Sequence, residues 1–182
     1  MAEAALRAWT VEDFLGFEAQ EDERYEFVDG VIFMMTGGSI AHSVIKLNLG
    51  AELRAALRGG RCHAFLDGVK VVTGSAVMYP DVVVSCIAQN LSDDRVDQPS
   101  VVIEVLSPST ESHDRVRKWR NYQRIPSLEH FVLVAQDERR VEVFTRTATG
   151  FALAIVEPPD VVELSALGVR VPLDAIYEDS GR

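Results

Sequence analysis

Residues 99–124 read PSVVIEVLSPSTESHDRVRKWRNYQR. The run Val101-Val102-Ile103-Glu104-Val105-Leu106 is β-branched and apolar, as a central strand covered on both faces requires, and a strand is expected from about Ser100 to Leu106. Ser107-Pro108-Ser109-Thr110 supplies turn residues. A helix is expected next, from about Glu111 to Arg124, stopped ahead of Pro126. One residue breaks the apolar pattern of the strand. Glu104 puts a carboxylate on the face shared by Val102 and Leu106, opposite Ile103 and Val105. An ionised carboxylate in that company is costly unless something pairs with it.

The flanks extend the pattern. Upstream, Pro80-Asp81-Val82-Val83-Val84 opens a strand running to about Ile87; proline lacks an N–H and suits a strand's first residue. A polar stretch, Gln89 to Gln98, links it to the next strand, and a third β segment is expected from Cys62 to Thr73, bent at Gly68. Before it, Ser39 can cap a helix to about Arg58 whose apolar positions Ile40, Val44, Leu47 and Ala51, with Ile45, Leu49, Leu53 and Leu57, form a wide face. Gly59-Gly60 ends that helix. Tyr25 to Val28 and Val31 to Met35 flank Asp29-Gly30, a type I′ hairpin signal. Thr10 ahead of Val11-Glu12-Asp13 marks a short helix start. Downstream, His130 to Val134 reads as a strand, Arg140 to Arg146 and Phe151 to Val156 as a hairpin, and the tail from Asp174 as a short helix. The central order is α-β-β-β-α-β, an α/β fold of mixed α+β character. It is expected to form one domain over residues 1–182, with 1–9 and 178–182 loose.

The chain has 182 residues, with 18 Lys and Arg against 28 Asp and Glu, a formal charge of −10. That balance argues against broad adhesion to nucleic acid but leaves room for a local basic site. No apolar run approaches the ~18 residues of a membrane span, and Met1 to Thr10 has no apolar core of a secretory signal. Cys62 and Cys86 lack metal or redox spacing and sit in apolar stretches, so buried free thiols in a reducing cytoplasm are expected. No GxxxxGK[ST] motif is present. Ser107 and Ser109 have neither a base nor an oxyanion hole in view, and His63, His113 and His130 have no mutual metal-ligand spacing.

Chemistry is therefore sought in Asp81 and Glu104, two carboxylates on consecutive strands. A divalent cation between them would offset both charges, and hard ions such as Mg²⁺ take one or two protein carboxylates with water and phosphate completing the shell. The plainer readings are an Arg partner for Glu104 and local N–H capping by Asp81. The following helix is locally basic, with Arg115, Arg117, Lys118, Arg120 and Arg124. Asp114 and Lys118 are spaced for an i,i+4 ion pair worth ~0.2–0.5 kcal/mol. Arg115, Lys118 and Tyr122 also share a helical stripe that could face the carboxylates. Trp119 is read as core.

The sequence Tyr25-Glu26-Phe27-Val28-Asp29-Gly30, His42 in the helix, Pro80-Asp81, Glu104 to Thr110, and Asp114-Arg115 with Lys118 and Tyr122 together resemble the Uma2 family (DUF820) over about Val11 to Tyr177. That family falls among the PD-(D/E)XK, restriction-endonuclease-like nucleases. The resemblance implies a restriction-endonuclease-like core with an added N-terminal helix and hairpins. It also implies a Mg²⁺- or Mn²⁺-dependent endonuclease acting on DNA. Asp81, Glu104 and Lys118 would be catalytic, Asp81 and Glu104 would hold the metal with Glu26 as an additional ligand, and His42, Arg115, Arg117 and Tyr122 would contact substrate. The superfamily's lysine normally lies two residues after the Glu; position 106 is Leu, and the resemblance moves that role to Lys118. Two other readings stand beside it: a nuclease-fold module without chemistry that binds nucleic acid or a protein, and an enzyme on a small phosphorylated substrate. A homodimer paired through exposed β edges is expected.

Overall fold

The computed structural model describes residues 9–35, 37–107 and 113–182. The first half holds helix α1 (Val11–Glu18), strands β1 (Tyr25–Val28) and β2 (Val31–Met34), helix α2 (Ile40–Ala56), and strands β3 (His63–Leu66), β4 (Val71–Val72), β5 (Ala76–Met78), β6 (Val82–Ser85) and β7 (Pro99–Leu106). A π-helical turn, His113–Lys118, leads into the short helix α3 (Trp119–Tyr122). Then come β8 (His130–Ala135), β9 (Val141–Thr147), β10 (Gly150–Val156), β11 (Val161–Leu164), a 3₁₀ turn (Ser165–Leu167), β12 (Val169–Pro172) and α4 (Leu173–Tyr177). No described helix is long and apolar enough to cross a membrane.

Six strands build the main sheet in the order β10-β9-β8-β7-β6-β3. Only β7 and β8 run parallel there, joined by the crossover that carries the π turn and α3; the other neighbours are antiparallel. The strand alternation of β7 sorts its side chains. Val101, Ile103 and Val105 pack with Val82, Val84, Val132 and the α2 residues Ile45, Leu49 and Leu53. Val102 and Leu106 pack on the other side with Val83, Phe131, Leu133, Leu128 and Tyr122. Helix α2 and the π turn with α3 thus cover opposite faces, and the α-β-β-β-α-β order runs through α2, β3, β6, β7, α3 and β8. A smaller sheet, β2-β1-β5-β4, packs beside the second face, and β11 pairs with β12.

Local chemistry accounts for most boundaries. Thr10 and Asp13 form a reciprocal capping box that starts α1. Asp29 and Gly30 both take positive φ, 50° and 88°, and close the β1–β2 hairpin as expected. The Ser39 side chain accepts the His42 N–H and starts α2, which puts His42 in its first turn.

Three expectations are corrected. The segment Cys62 to Thr73 is not one bent strand: at Asp67 and Gly68, both left-handed (φ 42° and 78°), the chain leaves the main sheet after β3 and enters the small sheet as β4. The segment after the turn is a π turn before it is an α-helix, and its expected beginning at Glu111 lies outside the described residues. Cys62 and Cys86 are not free thiols but a disulfide. The reason is register: β3 pairs β6 with His63 opposite Ser85, so the next pair outward is Cys62 and Cys86. That pairing is long-range and leaves no trace in spacing. At the C-terminal end, Asn48 donates to the Ile176 and Glu178 carbonyls, and Arg182 donates to the Gln136 carbonyl.

Candidate active site

The site lies at the C-terminal end of β7, where the start of β6 runs beside it. Extending the β6–β7 register by one pair sets Asp81 directly across from Glu104. Directly opposed residues share a sheet face, and both residues line the same cavity. Asp81 is fixed from two directions: Oδ2 accepts the Val105 N–H at 2.7 Å, and Oδ1 accepts from His42 Nε2 at 3.0 Å. A carboxylate can only accept, so Nε2 carries the His42 proton; Nδ1 is buried with no hydrogen-bond partner among the described residues. Gly38 makes room for that ring, since a Cβ there would sit 2.9 Å from the imidazole Cδ2.

Glu104 is buried, 2% exposed. Its Oε1 accepts from the Tyr122 hydroxyl at 2.9 Å and from Lys118 Nζ at 3.2 Å. Lys118 also reaches Glu26 Oε1 at 2.8 Å and Asp114 Oδ1 at 3.2 Å. Glu26 Oε1 additionally accepts the Tyr79 N–H at 2.8 Å. Three buried carboxylates therefore share one buried ammonium, and Asp81 adds a part-buried fourth just ahead of β6. The π turn followed by an α turn puts Asp114, Lys118 and Tyr122 on one inward face, all buried.

The proton affinities express that crowding. Burial pushes the Glu104 carboxyl well above the ordinary carboxylate range; Lys118 pulls it back, while Asp114, Asp81 and Glu26 push it further up. Burial alone would lower the Lys118 ammonium, but Glu104, Glu26 and Asp114 outweigh it and hold Lys118 firmly charged. Burial, Glu104 and Glu26 raise the Tyr122 hydroxyl, which stays protonated and donates. The floor thus concentrates several carboxyl groups around one ammonium.

These groups open into a cavity of about 480 Å³, walled by Phe33, Met34 and Met35 of the hairpin region, by Gly37 and Gly38, and by Lys46 and Arg24. Among the described residues, no three His, Cys, Asp or Glu side chains form a ready-made metal cage. Lys118 takes the central place among Glu26, Glu104 and Asp114. The donor set that suits a divalent ion is narrower: Asp81 with Glu104, two carboxylates on one sheet face with water and phosphate oxygens left to complete the shell. The upward push on Glu104 by Asp114, Asp81 and Glu26 is crowding that an added cation there would relieve.

Of the residues singled out in the sequence, Asp81, Glu104, Lys118, Glu26, His42 and Tyr122 meet at this site. Two do not. Arg115 turns to Glu142, 2.7 Å away, and Arg117 lies exposed with its guanidinium 5.4 Å from the Phe33 ring centre. The expected Arg115-Lys118-Tyr122 stripe is replaced by Asp114, Lys118 and Tyr122, because the π turn shifts the register of the face. Trp119 is core, stacked on Phe131 and flanked by Phe144 and Phe151. His63 stands exposed at the start of β3, His130 is buried against Thr145, Ser109 lies outside the described residues, and Ser107 lines the cavity. Sequence reading missed the inward turn of Asp114 and the presence of Lys46 and Arg24; Asp114 left its i,i+4 spacing to Lys118 as a signal, and Lys46 its place one helical turn beyond His42.

The model of the Uma2 family, described as "Putative restriction endonuclease", matches residues 11–174. The chain belongs to the Uma2 family. It is 33% identical over 170 residues to the uncharacterized protein slr1290 of Synechocystis sp., covering 91% of this chain and 90% of that protein. A second Synechocystis protein, sll1609, is 28% identical over 151 residues, covering 80% of this chain and 85% of its own length. Among solved structures, a putative nuclease belonging to DUF820 from Anabaena variabilis superposes with a TM-score of 0.75 at 18% identity, over 93% of this chain and 97% of that one. The Uma2 chain therefore has the restriction-endonuclease-like fold of that neighbour.

Proposed function

We propose that the chain is a metal-dependent nuclease that hydrolyses phosphodiester bonds in DNA with Mg²⁺ or Mn²⁺ held by Asp81 and Glu104. The observation that carries this reading is the pair itself: two carboxylates, Asp81 at the entry of β6 and Glu104 on β7, that line one cavity beside a buried ammonium shared among carboxylates. The family description and the nuclease title of the structural neighbour support it. When bound, the ion supplies Lewis acidity toward a phosphoryl oxygen and a more acidic water. The chain's own groups do the rest. The Val105 N–H and His42 aim the Asp81 carboxylate. Tyr122 and Lys118 hold one oxygen of Glu104, and Glu26 with Asp114 keeps the Lys118 ammonium at the carboxylates, where it orients the attacking water. Glu26, expected as a further ligand, is used here as a holder of Lys118.

The test is cleavage of single- and double-stranded DNA and RNA with Mg²⁺, Mn²⁺ or EDTA, beside Asp81→Asn and Glu104→Gln. Loss of cutting in EDTA and in both variants supports the reading; cutting that survives both variants rejects it. A second reading has its own observation. Leu106 stands where the superfamily lysine is usual and Lys118 is engaged by three carboxylates, as in a fold that binds nucleic acid without cutting it. DNA binding without metal-dependent cutting would favour that module. The homodimer would form along the outer edge of β10, which exposes Leu153 and Ile155; sedimentation analysis decides it.

A further inference from the structure

The cavity is electrostatically layered. Its floor is the carboxylate cluster around Lys118; its outer wall carries a second set of cations from other elements. Lys46 on α2 brings Nζ to 2.7 Å from Asp67 Oδ1 and 3.8 Å from Asp81 Oδ1. Arg24, just ahead of β1, lines the same cavity. Its guanidinium lies over Gly68, where a Cβ would come within 2.9 Å of Nη2 and 3.1 Å of Nη1. The left-handed Asp67-Gly68 turn leaves that space open and lays the Asp67 carboxylate on Lys46.

The two lysines are held very differently. Lys118 is 7% exposed and locked by three buried carboxylates. The close partner of Lys46 is Asp67, which is 63% exposed and so a weak, water-screened hold. An anion can replace Asp67 on Lys46 without stranding a buried charge, whereas drawing Lys118 away breaks its contacts with three buried carboxylates at once.

We infer that Lys46, with Arg24 beside it, binds the non-bridging oxygens of the phosphate being cut. Lys46 is then the cation that touches substrate, and Asp67 is the group it releases to do so. The inference rests on the nuclease reading for the identity of the phosphate. Its geometry is the 3.8 Å approach of Lys46 to Asp81, which sets a phosphate on Lys46 next to the carboxylate assigned to the metal. A phosphodiester approaching a floor of carboxylates is repelled, and cations on the wall offset that repulsion.

The experiment uses the full chain and a fluorescein-labelled DNA oligonucleotide, with binding read by anisotropy in Ca²⁺ and cleavage read in Mg²⁺. Lys46→Gln is expected to lower cleavage about a hundredfold and oligonucleotide affinity about tenfold, with Mn²⁺ affinity and melting temperature unchanged. Lys46→Arg restores most of both, and Asp67→Asn tightens binding. A Lys46→Gln chain that binds the oligonucleotide as the wild type does, or that loses Mn²⁺ affinity in step with cleavage, overturns the assignment. If the wild type cuts nothing, the nuclease reading fails, and anisotropy still judges Lys46. A tenfold loss of binding then retains it as a phosphate-binding residue, and no loss, or a wild type that binds no oligonucleotide, removes it.

Discussion

The two faces of β7 are built from one strand and do opposite jobs. Toward α2, Val101, Ile103 and Val105 belong to a largely aliphatic cluster with residues of α2, β6 and β8. Toward α3, Val102 and Leu106 flank Glu104, and the same packing layer encloses a cluster of carboxylates, an ammonium and a phenol. The first face gains its free energy from area removed from water. The second holds groups whose burial is costly and which are tolerable only as a set. The contrast separates residues that keep the chain folded from residues that give it chemistry.

The largest expected effect breaks the second face alone. Asp81→Asn and Glu104→Gln should each lower metal-dependent cleavage by about a thousandfold, about 4 kcal/mol in barrier. Both should leave the urea midpoint near that of the wild type, because an amide keeps the shape and relieves the crowded charge. Next is Lys118→Met. It removes the ammonium that Glu26, Glu104 and Asp114 share and should cost about 3–5 kcal/mol of stability at neutral pH. The sign of its pH dependence follows from the cluster. With the folded-state Glu104 carboxyl raised above the unfolded value of about 4, stability falls as pH rises through that range and above it. Denaturant unfolding of Lys118→Met at acid and neutral pH should show the deficit growing with pH. Ile103→Ala sharpens the comparison from the other side: about 2–5 kcal/mol of lost stability, with the cleavage rate per folded molecule retained.

The smallest effect concerns His130 on β8. Its Nε2 accepts the Ala166 N–H at 3.1 Å, so the ring is neutral with Nδ1 facing Thr145. Burial lowers its pKa below the ordinary 6.5. The folded state then resists a proton that the unfolded state accepts, and stability is lost as pH falls below about 6.5. A His130→Gln chain should lose less stability than the wild type between neutral and mildly acid pH, as read by urea midpoints.

Where chemistry is local, the sequence was legible. The β7 alternation, the Asp29-Gly30 turn, the Ser39 cap and the Asp81–Glu104 pair all rest on near neighbours or on one strand pairing. The π turn was not legible, because its i,i+4 Asp114–Lys118 spacing reads equally as an α-helical ion pair. The Cys62–Cys86 bond depends on the register of β3 against β6, which no spacing encodes. Lys46 and Arg24 meet at the cavity only because α2, β1 and the Asp67-Gly68 turn converge there.

The central claim is that Asp81 and Glu104 share one divalent ion, and Mn²⁺ titration followed by electron paramagnetic resonance reads it directly. We expect one site per wild-type chain, weakened more than about tenfold in Asp81→Asn and in Glu104→Gln alike. Mn²⁺ bound with equal affinity by the wild type and both variants, or by none of them, would contradict it.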